Sequence, residues 1–254
     1  MSAITRVAEL DRLEQASATE ILEWALDKYG KSLAIATAFQ AEGMVILDMA
    51  ARILPSVRVF TLDTGRLPEG TYGMIETVRE RYGVAVETVS PVTAEVESMT
   101  ALHGPNLFYR EVPLRNLCCE IRKVRPLERK LQELAAWITG LRRDQNASRA
   151  EVRKVETIRG KVKISPLADW SADEVQDYIR QHDVPMHALY KAGYRSIGCA
   201  PCTRAVQPGE DDRAGRWWWE QDASKECGIH FTPEGKAERK LDVLLSEVLE
   251  ARRR

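Results

Sequence analysis

Residues 33–62 read LAIATAFQAEGMVILDMAARILPSVRVFTL. The stretch opens on an apolar run, Leu33 to Ala38, and closes on another, Val57 to Leu62. Short continuous apolar runs of this kind read as buried strands. Between them, from Glu42 to Leu54, apolar residues recur at helical spacing. Strand, helix, strand is the unit of an α/β fold. Upstream, Ser17-Ala18-Thr19-Glu20 is a capping-box pattern that opens a helix to about Tyr29. Downstream, Pro68 to Tyr82 reads as a helix stopped by Gly83, and Val84 to Val89 as a third strand, with a helix from about Thr93. Asn116 to Leu134 reads as a long helix interrupted near Pro126. Ala135 to Thr139 is a fourth strand and Val162 to Ile164 a fifth, followed by a helix capped by Ser171 with Glu174. The alternation predicts a parallel sheet with helices on both faces. From about Lys191 periodicity fades into a loop-rich C-terminal tail, closing with a charged helix from about Pro233.

The chain has 254 residues, room for one large domain or two small ones. Its 44% hydrophobic and 30% charged residues exclude disorder, collagen and a coiled-coil rod as the main state. A formal net charge of -1 removes the global basic field of a dedicated nucleic-acid binder, so no nucleic acid is expected as partner. The first residues, MSAITRVAELDRLEQ, hold no apolar leader core, and no run approaches the roughly 18 apolar residues of a membrane span. A cytoplasmic location without membrane contact is the expectation. Nothing in the sequence fixes oligomeric state; a homo-oligomer is compatible with it.

Five cysteines, Cys118, Cys119, Cys199, Cys202 and Cys227, are too few and too odd in number for a disulfide scaffold. Cys118-Cys119 and Cys199-Ala200-Pro201-Cys202 form two close pairs, suited to zinc or to an iron–sulfur cluster. Adjacent side chains diverge, which suits the separated corners of a cubane better than one tetrahedral ion. Buried or redox thiols are the plainer alternative. Cys227, in Lys225-Glu226-Cys227-Gly228-Ile229-His230, is left over. Beside Lys225 and His230 its pKa could fall and make it a nucleophile; otherwise it is a surface thiol.

Three loops follow strands: Thr37-Ala38-Phe39-Gln40-Ala41-Glu42-Gly43, Leu62-Asp63-Thr64-Gly65, and Gly140-Leu141-Arg142-Arg143-Asp144-Gln145 with Arg149 beyond. Open α/β sheets bind ligands at such carboxyl ends, and the first loop opens a helix whose N–H groups suit phosphate. It is not a Walker A loop. In Asp211 to Glu220, Arg213 and Arg216 stand three apart, which on a helix would share one face and clamp phosphate or sulfate. A solvated face beside packed tryptophans is the alternative.

These motifs together resemble the iron–sulfur-containing assimilatory adenylyl-sulfate (APS) reductases of the APS/PAPS reductase family. The resemblance rests on CC…CAPC, LDTG, ITGLRRDQ, RAGRWWWE and KECGIHF, from about Thr37 to Phe231. It implies an adenine-nucleotide alpha-hydrolase-like fold. Residues 1–205 would form the nucleotide-binding domain with the cluster, and 206–254 a lid or tail carrying the nucleophile. Cys118, Cys119, Cys199 and Cys202 match [4Fe-4S] ligands. Lys123 matches a lysine between substrate and cluster, and Cys227 the nucleophile, with His230 beside it. Thr37, Ala38, Phe39, Gln40 and Glu42 match the phosphate loop. Leu62, Asp63, Thr64, Gly65, Gly140 and Arg142 fall in nucleotide-contacting segments, and Arg149, Arg213 and Arg216 match phosphosulfate-binding positions. The chain departs from the family in its phosphate loop, where Thr37 replaces the usual serine and Gly43 a frequent aspartate.

The resemblance implies reduction of APS to sulfite and AMP, with thioredoxin or a similar dithiol protein as reductant. With four cysteines on metal, no resolving thiol is left in the chain. A PAPS or dual APS/PAPS reductase is the nearest alternative, though PAPS-specific members typically lack the four cysteines. An ATP pyrophosphatase would carry an SGGxDS-type loop where this chain has TAFQAEG. A non-catalytic nucleotide-binding module would give Cys227 no role.

Overall fold

A computed structural model describes residues 3–146, 149–220 and 235–253. They divide into two compact units. The first comprises Met1–Thr61, Glu69–Glu87 and Leu131–Tyr190, the second Leu62–Pro68, Thr88–Lys130 and Lys191–Arg254. Helix α1 spans Ala3–Gln15, an element that the sequence reading lacks, and α2 spans Ala18–Tyr29. Strand β1 (Leu33–Ala36), α3 (Ala41–Ile53) and β2 (Val59–Leu62) realise the opening strand–helix–strand unit. Then come α4 (Glu69–Tyr82), β3 (Val86–Val89), α5 (Thr93–His103) and α6 (Val112–Cys119). A π-helical turn, Glu120–Val124, leads into α7 (Arg125–Gln132). Strands β4 (Ala136–Ile138), β5 (Val155–Ile158) and β6 (Lys161–Ile164) precede α8 (Ala172–His182) and α9 (Gly235–Ala251).

The six strands form one sheet in the order β3-β2-β1-β4-β6-β5. Strand β1 runs parallel to β2 through Ile35–Val59 and to β4 through Leu33–Ala136, and β4 runs parallel to β6 through Trp137–Lys163. The order reverses between β1 and β4, and such a switch point opens a ligand crevice at the strands' carboxyl ends. The sheet is mostly rather than wholly parallel. Strand β5 pairs antiparallel with β6 from Val155–Ile164 to Ile158–Lys161. The turn is Arg159-Gly160, with φ of 49° and 77°, a primed hairpin turn without the Asn-Gly or Asp-Gly signature that would reveal it.

Local signals worked where they were strong. Both capping boxes form: Glu20 N–H donates to Ser17 Oγ (3.3 Å) and Glu174 N–H to Ser171 Oγ (3.2 Å). The interruption expected near Pro126 is the π-helical turn just before it. Pro126 has no N–H and crowds the carbonyl four residues back, and the wider turn relieves that clash.

Helix α3 is buried on nearly every side and anchors the core of the first unit, with Ile21, Leu22, Ile35, Val59, Ile138 and Ile164. Each such side chain contributes about 1.5–3 kcal/mol on full burial. One carboxylate, Asp48, sits inside α3. It accepts from Arg52 Nε (2.8 Å), Tyr178 Oη (2.8 Å) and Tyr82 Oη (3.1 Å), tying α3 to α4 and α8. In the second unit Met99, Phe108, Leu114, Ile121, Trp217, Leu241 and Val248 form the core. Helix α9 joins it through Leu241 and Val248 and through ion pairs Arg252–Glu95 (2.9 Å) and Lys240–Glu111 (2.6 Å). Among the described residues no helix is long and apolar enough to cross a membrane.

Candidate functional site

Cys118 and Cys119 close α6, and Lys123 follows on the π-helical turn. Cys199 and Cys202 flank a 3-10 turn, Ala200–Cys202, in which Cys202 N–H donates to Cys199 O (2.9 Å). The segment after β2 holds that turn in place. Asp63 Oδ1 accepts from Gly65 N–H (2.8 Å), and Gly65 takes φ +67°. Thr64 Oγ1 accepts from Arg66 N–H (3.2 Å) and lies 3.2 Å from Cys199 Sγ, while Arg66 O accepts from Ala200 N–H (2.8 Å). Arg122, buried, donates to Thr64 O (2.6 Å).

The four cysteines line one cleft, together with Arg66, Arg115, Arg122, Lys123 and Arg216. None of the four is in a disulfide. Burial pushes the Cys202 thiol up to about 12, helped by the neighbouring Cys199 and Cys118 and opposed by Lys123 and Arg216. Burial likewise raises Cys118, against the pull of Arg122, Lys123 and Arg66. The sulfurs therefore feel one another and a shared set of cations. Among the described residues, no group of three or more His, Cys, Asp or Glu side chains is arranged to hold a metal ion. Four thiols on the walls of one cleft are by their chemistry a donor set for zinc or an iron–sulfur cluster.

Arg213 and Arg216 do not share a helix face; the helix expected there is absent. Residues 211–216 form turns, and Arg216 makes a β-bridge with Thr203. Arg204 N–H donates to Gly215 O (2.9 Å), and a side chain on Gly215 would lie 2.2 Å from Arg204 O, so the backbone is diverted by a close approach that only glycine permits. Arg216 is buried with its guanidinium 4.6 Å from the Trp217 ring and faces the cleft. Arg66, Arg115, Arg122, Phe108 and Trp217 also line it and were not singled out in the sequence. Arg122 adjoins Lys123, Arg66 adjoins LDTG, and Arg115 lies one helical turn before Cys118, so proximity to recognised motifs was the available signal.

In the first unit the loop after β1 is tightly folded on itself. Phe39 is fully buried at φ +54°, and its N–H donates to Thr37 Oγ1 (2.9 Å). The first amide of α3, Ala41 N–H, donates to Tyr190 Oη (3.1 Å). Two amides that the sequence offers to phosphate are therefore engaged within the protein. Gln40 stands at the N-cap of α3. Glu42 Oε1 accepts from Arg142 Nε (3.0 Å) and Gln145 Nε2 (2.9 Å), clasping the loops after β1 and β4. Gly140 allows their approach, since a side chain there would meet Glu42 Cβ at 2.8 Å. Arg142 is buried and also bonds Asp144 and Trp170 O; burial opposes its charge, and Glu42 and Asp144 overcome that and raise its pKa. Arg149 donates to Gln145 Oε1. Thr37 to Glu42, Gly140, Arg142 and Arg149 thus belong to the first unit. Leu62, Asp63, Thr64, Gly65, Lys123, Arg213, Arg216 and the four cysteines belong to the second. Cys227 and His230 lie outside the described residues.

The phosphoadenosine phosphosulfate reductase domain matches residues 32–205. The chain belongs to that family. It is 46% identical over 224 residues to adenosine 5′-phosphosulfate reductase of Burkholderia cepacia, covering 86% of this chain and 90% of that one. To the enzyme of the same name from Allochromatium vinosum it is 48% identical over 201 residues, 78% of each chain. Among solved structures it resembles phosphoadenylyl-sulfate (PAPS) reductase from Candida auris, in a phosphate complex, with a TM-score of 0.65 and 28% identity over 81% of this chain and 98% of that one. The family match ends before Cys227, whereas the cysteine pairs and the strand-end loops lie within it.

Proposed function

We propose that the chain reduces APS to sulfite and AMP at the expense of a dithiol protein such as thioredoxin. The observation that carries the reading is the four-cysteine cationic cleft, in a chain 46% identical to an APS reductase over 86% of its length. The Cys227 thiolate attacks the sulfur of APS; the S–O bond to the phosphate breaks, and AMP leaves with the electron pair. The product is an S-sulfocysteine. A thiolate of the partner then attacks the Cys227 sulfur, sulfite leaves with the bonding pair, and the partner's second thiol resolves the mixed disulfide. The dithiol is oxidised, and the sulfur of APS is reduced by the same two electrons. AMP is a good leaving group, so the protein's work is positioning and charge neutralisation. Arg149, Arg213, Arg216 and Lys123 are read as supplying that charge, with His230 and Lys225 favouring the Cys227 thiolate.

Cys118, Cys119, Cys199 and Cys202 would hold a [4Fe-4S] cluster. When bound, it supplies structural and electrostatic support without changing redox state. Lys123, one turn beyond Cys119, would carry positive charge between that group and the substrate. A dithiol reductant requires a reducing compartment, for which we propose the cytoplasm.

The test is anaerobic incubation with APS and no reductant. The wild-type protein gains one sulfonate on Cys227 and releases one AMP, and reduced thioredoxin then frees sulfite; Cys227→Ser does neither. An adduct that survives in Cys227→Ser overturns the nucleophile assignment. Turnover of PAPS in parallel at an equal rate replaces APS specificity with dual specificity.

A further inference from the structure

We propose that Gly198 is a positioning residue that seats Arg216 in the cysteine cleft, an inference that rests on the reading of Arg216 as a phosphosulfate ligand. A β-carbon at Gly198 would lie 2.6 Å from Arg216 Cζ and 3.0 Å from Nη1, with Nη2 closer still. The guanidinium thus occupies the space that any other residue at 198 would fill. The Trp217 ring also packs on it, its centre 4.6 Å away. Gly198 is not among the glycines with positive φ, so the backbone there would accept alanine. Room for Arg216, not chain conformation, is what requires the glycine.

The backbone around this seat is tied together. Thr203 Oγ1 accepts from Gly198 N–H (3.1 Å) and donates to Cys199 O (3.0 Å). Thr203 also forms the β-bridge with Arg216, and Trp217 N–H donates to Cys202 O (3.3 Å). The turn that carries Cys199 and Cys202 and the segment that carries Arg216 are therefore one hydrogen-bonded unit. Gly198 lets the two approach closely enough for the guanidinium to lie against the turn.

The setting of the guanidinium is that of a group held for an anion. Arg216 is 6% exposed and lines the cleft. Its Nη1 reaches Ser196 Oγ at 3.4 Å, a long bond, and its buried Nε donates to none of the described residues. Neither a hydroxyl nor an indole cancels its charge, and a buried charge is costly until it is paired. A sulfate or phosphate oxygen of APS would pair it, and a planar fork suits such a group. To restore ordinary contact with a β-carbon at 198, the guanidinium must retreat by about an ångström. It ends a long, flexible side chain, so the retreat costs the fold little. Misplacing a binding or reacting group by that much can cost on the order of a hundredfold in rate. Gly198 therefore governs where the charge sits, with little bearing on whether the chain folds.

The experiment uses the full-length, cluster-loaded protein under anaerobic conditions without reductant. Single-turnover AMP release is followed against APS concentration, which gives a limiting rate and an apparent Kd. Iron content, visible absorbance and Tm are measured on the same samples. Gly198→Ala is expected to lower the ratio of limiting rate to Kd at least tenfold. Its iron and absorbance are unchanged, and its Tm stays within about 5 °C of wild type. Arg216→Ala loses at least as much in the ratio. In the double variant Gly198→Ala/Arg216→Ala no guanidinium remains to be displaced, so its ratio is no lower than that of Arg216→Ala alone. The same cycle decides the matter if Gly198→Ala folds poorly, because removing the guanidinium then restores its Tm. A wild-type ratio in Gly198→Ala, losses that add in the double variant, or a lowered Tm that the double variant does not restore overturns the proposal. Loss of iron from Gly198→Ala also overturns it, since the glycine would then serve the cysteine turn rather than Arg216. Absence of AMP release from the wild-type protein is a separate result, which sinks the functional reading and the proposal with it.

Discussion

Gly43→Ala tests the packing of the loop after β1. A β-carbon at Gly43 would lie 2.4 Å from Thr37 Oγ1, closer than any real contact, with Thr37 Cβ behind it at 3.4 Å. Threonine has no long side chain to swing aside, so its hydroxyl must rotate away from Phe39 N–H. That bond, 2.9 Å long and buried, holds Phe39 in its left-handed conformation. Leaving the amide unsatisfied costs about 1–3 kcal/mol. Replacing glycine within α3 returns up to about 1 kcal/mol of helix propensity. The net loss is about 1–2 kcal/mol, or a fall of about 5 °C in Tm for a chain of this size. Urea unfolding of Gly43→Ala, Thr37→Ala and the double variant measures it. The double variant should be no less stable than Thr37→Ala alone, because the clash and the lost bond are one event. The coupling between the two sites is then about 1–2 kcal/mol. Additive losses, or a Gly43→Ala protein more stable than wild type, would refute the contact. If the loop also holds phosphate, the Kd for APS rises in Gly43→Ala and Thr37→Ala by similar factors.

Burial raises the Asp48 carboxyl, but the hydrogen bonds from Arg52, Tyr178 and Tyr82 outweigh it and hold the pKa below the ordinary range. Its stabilisation is therefore present above about pH 4 and fades as pH falls through the lowered value, so Asp48→Ala should cost about 3 kcal/mol at pH 7 and less in acid, by urea unfolding. Burial lowers the pKa of His187, whose Nδ1 accepts from Leu189 N–H (3.2 Å) beside Thr71 Oγ1 at Nε2 (3.1 Å). The neutral ring favours the fold above the unfolded pKa near 6.5, stability falls as pH drops below it, and His187→Gln should flatten that slope in Tm between about pH 5 and 7. Anaerobically prepared protein should carry about four iron atoms per chain with visible absorbance, and Cys202→Ser should lose most of both; one zinc and no iron would sink the cluster assignment.

What could be read from the sequence was what is local. Ser17 with Glu20 and Ser171 with Glu174 carry their helix starts in four residues, and both form. The strand β1 and helix α3 are apolar enough that no tertiary context could reverse them. Strand β5 escaped because Arg159-Gly160 adopts a primed turn on backbone geometry alone, along a face that leaves Thr157 and Ile158 exposed. The stretch from Arg213 to Arg216 looked helical because three-residue spacing is a helix signal. What decides it is the bridge to Thr203, a partner in a different motif. The cleft cations were hidden for a related reason. Arg115 and Arg122 look like the solvated side of a helix until burial shows that they face inward.

The two cysteine pairs differ in kind. Adjacent residues on an α-helix point about 100° apart, so Cys118 and Cys119 present diverging sulfurs from the last turn of α6. Cys199 and Cys202 stand at the N-cap and at the last position of a 3-10 turn, three residues apart. A tetrahedral ion wants four converging thiolates at about 2.3 Å. Adjacent cysteines meet that demand poorly, whereas a cubane offers corners far enough apart to take them. The π-helical turn begins at the residue after Cys119 and adds one residue to the helical repeat. It shifts everything beyond it by about 100° relative to a regular helix. Arg122 and Lys123 follow Cys118 and Cys119 by four residues, one turn on, and line the same cleft. The sequence CCEIRK thus does two things in six residues: it spreads two sulfurs, and one turn on it presents two positive charges to the same cleft.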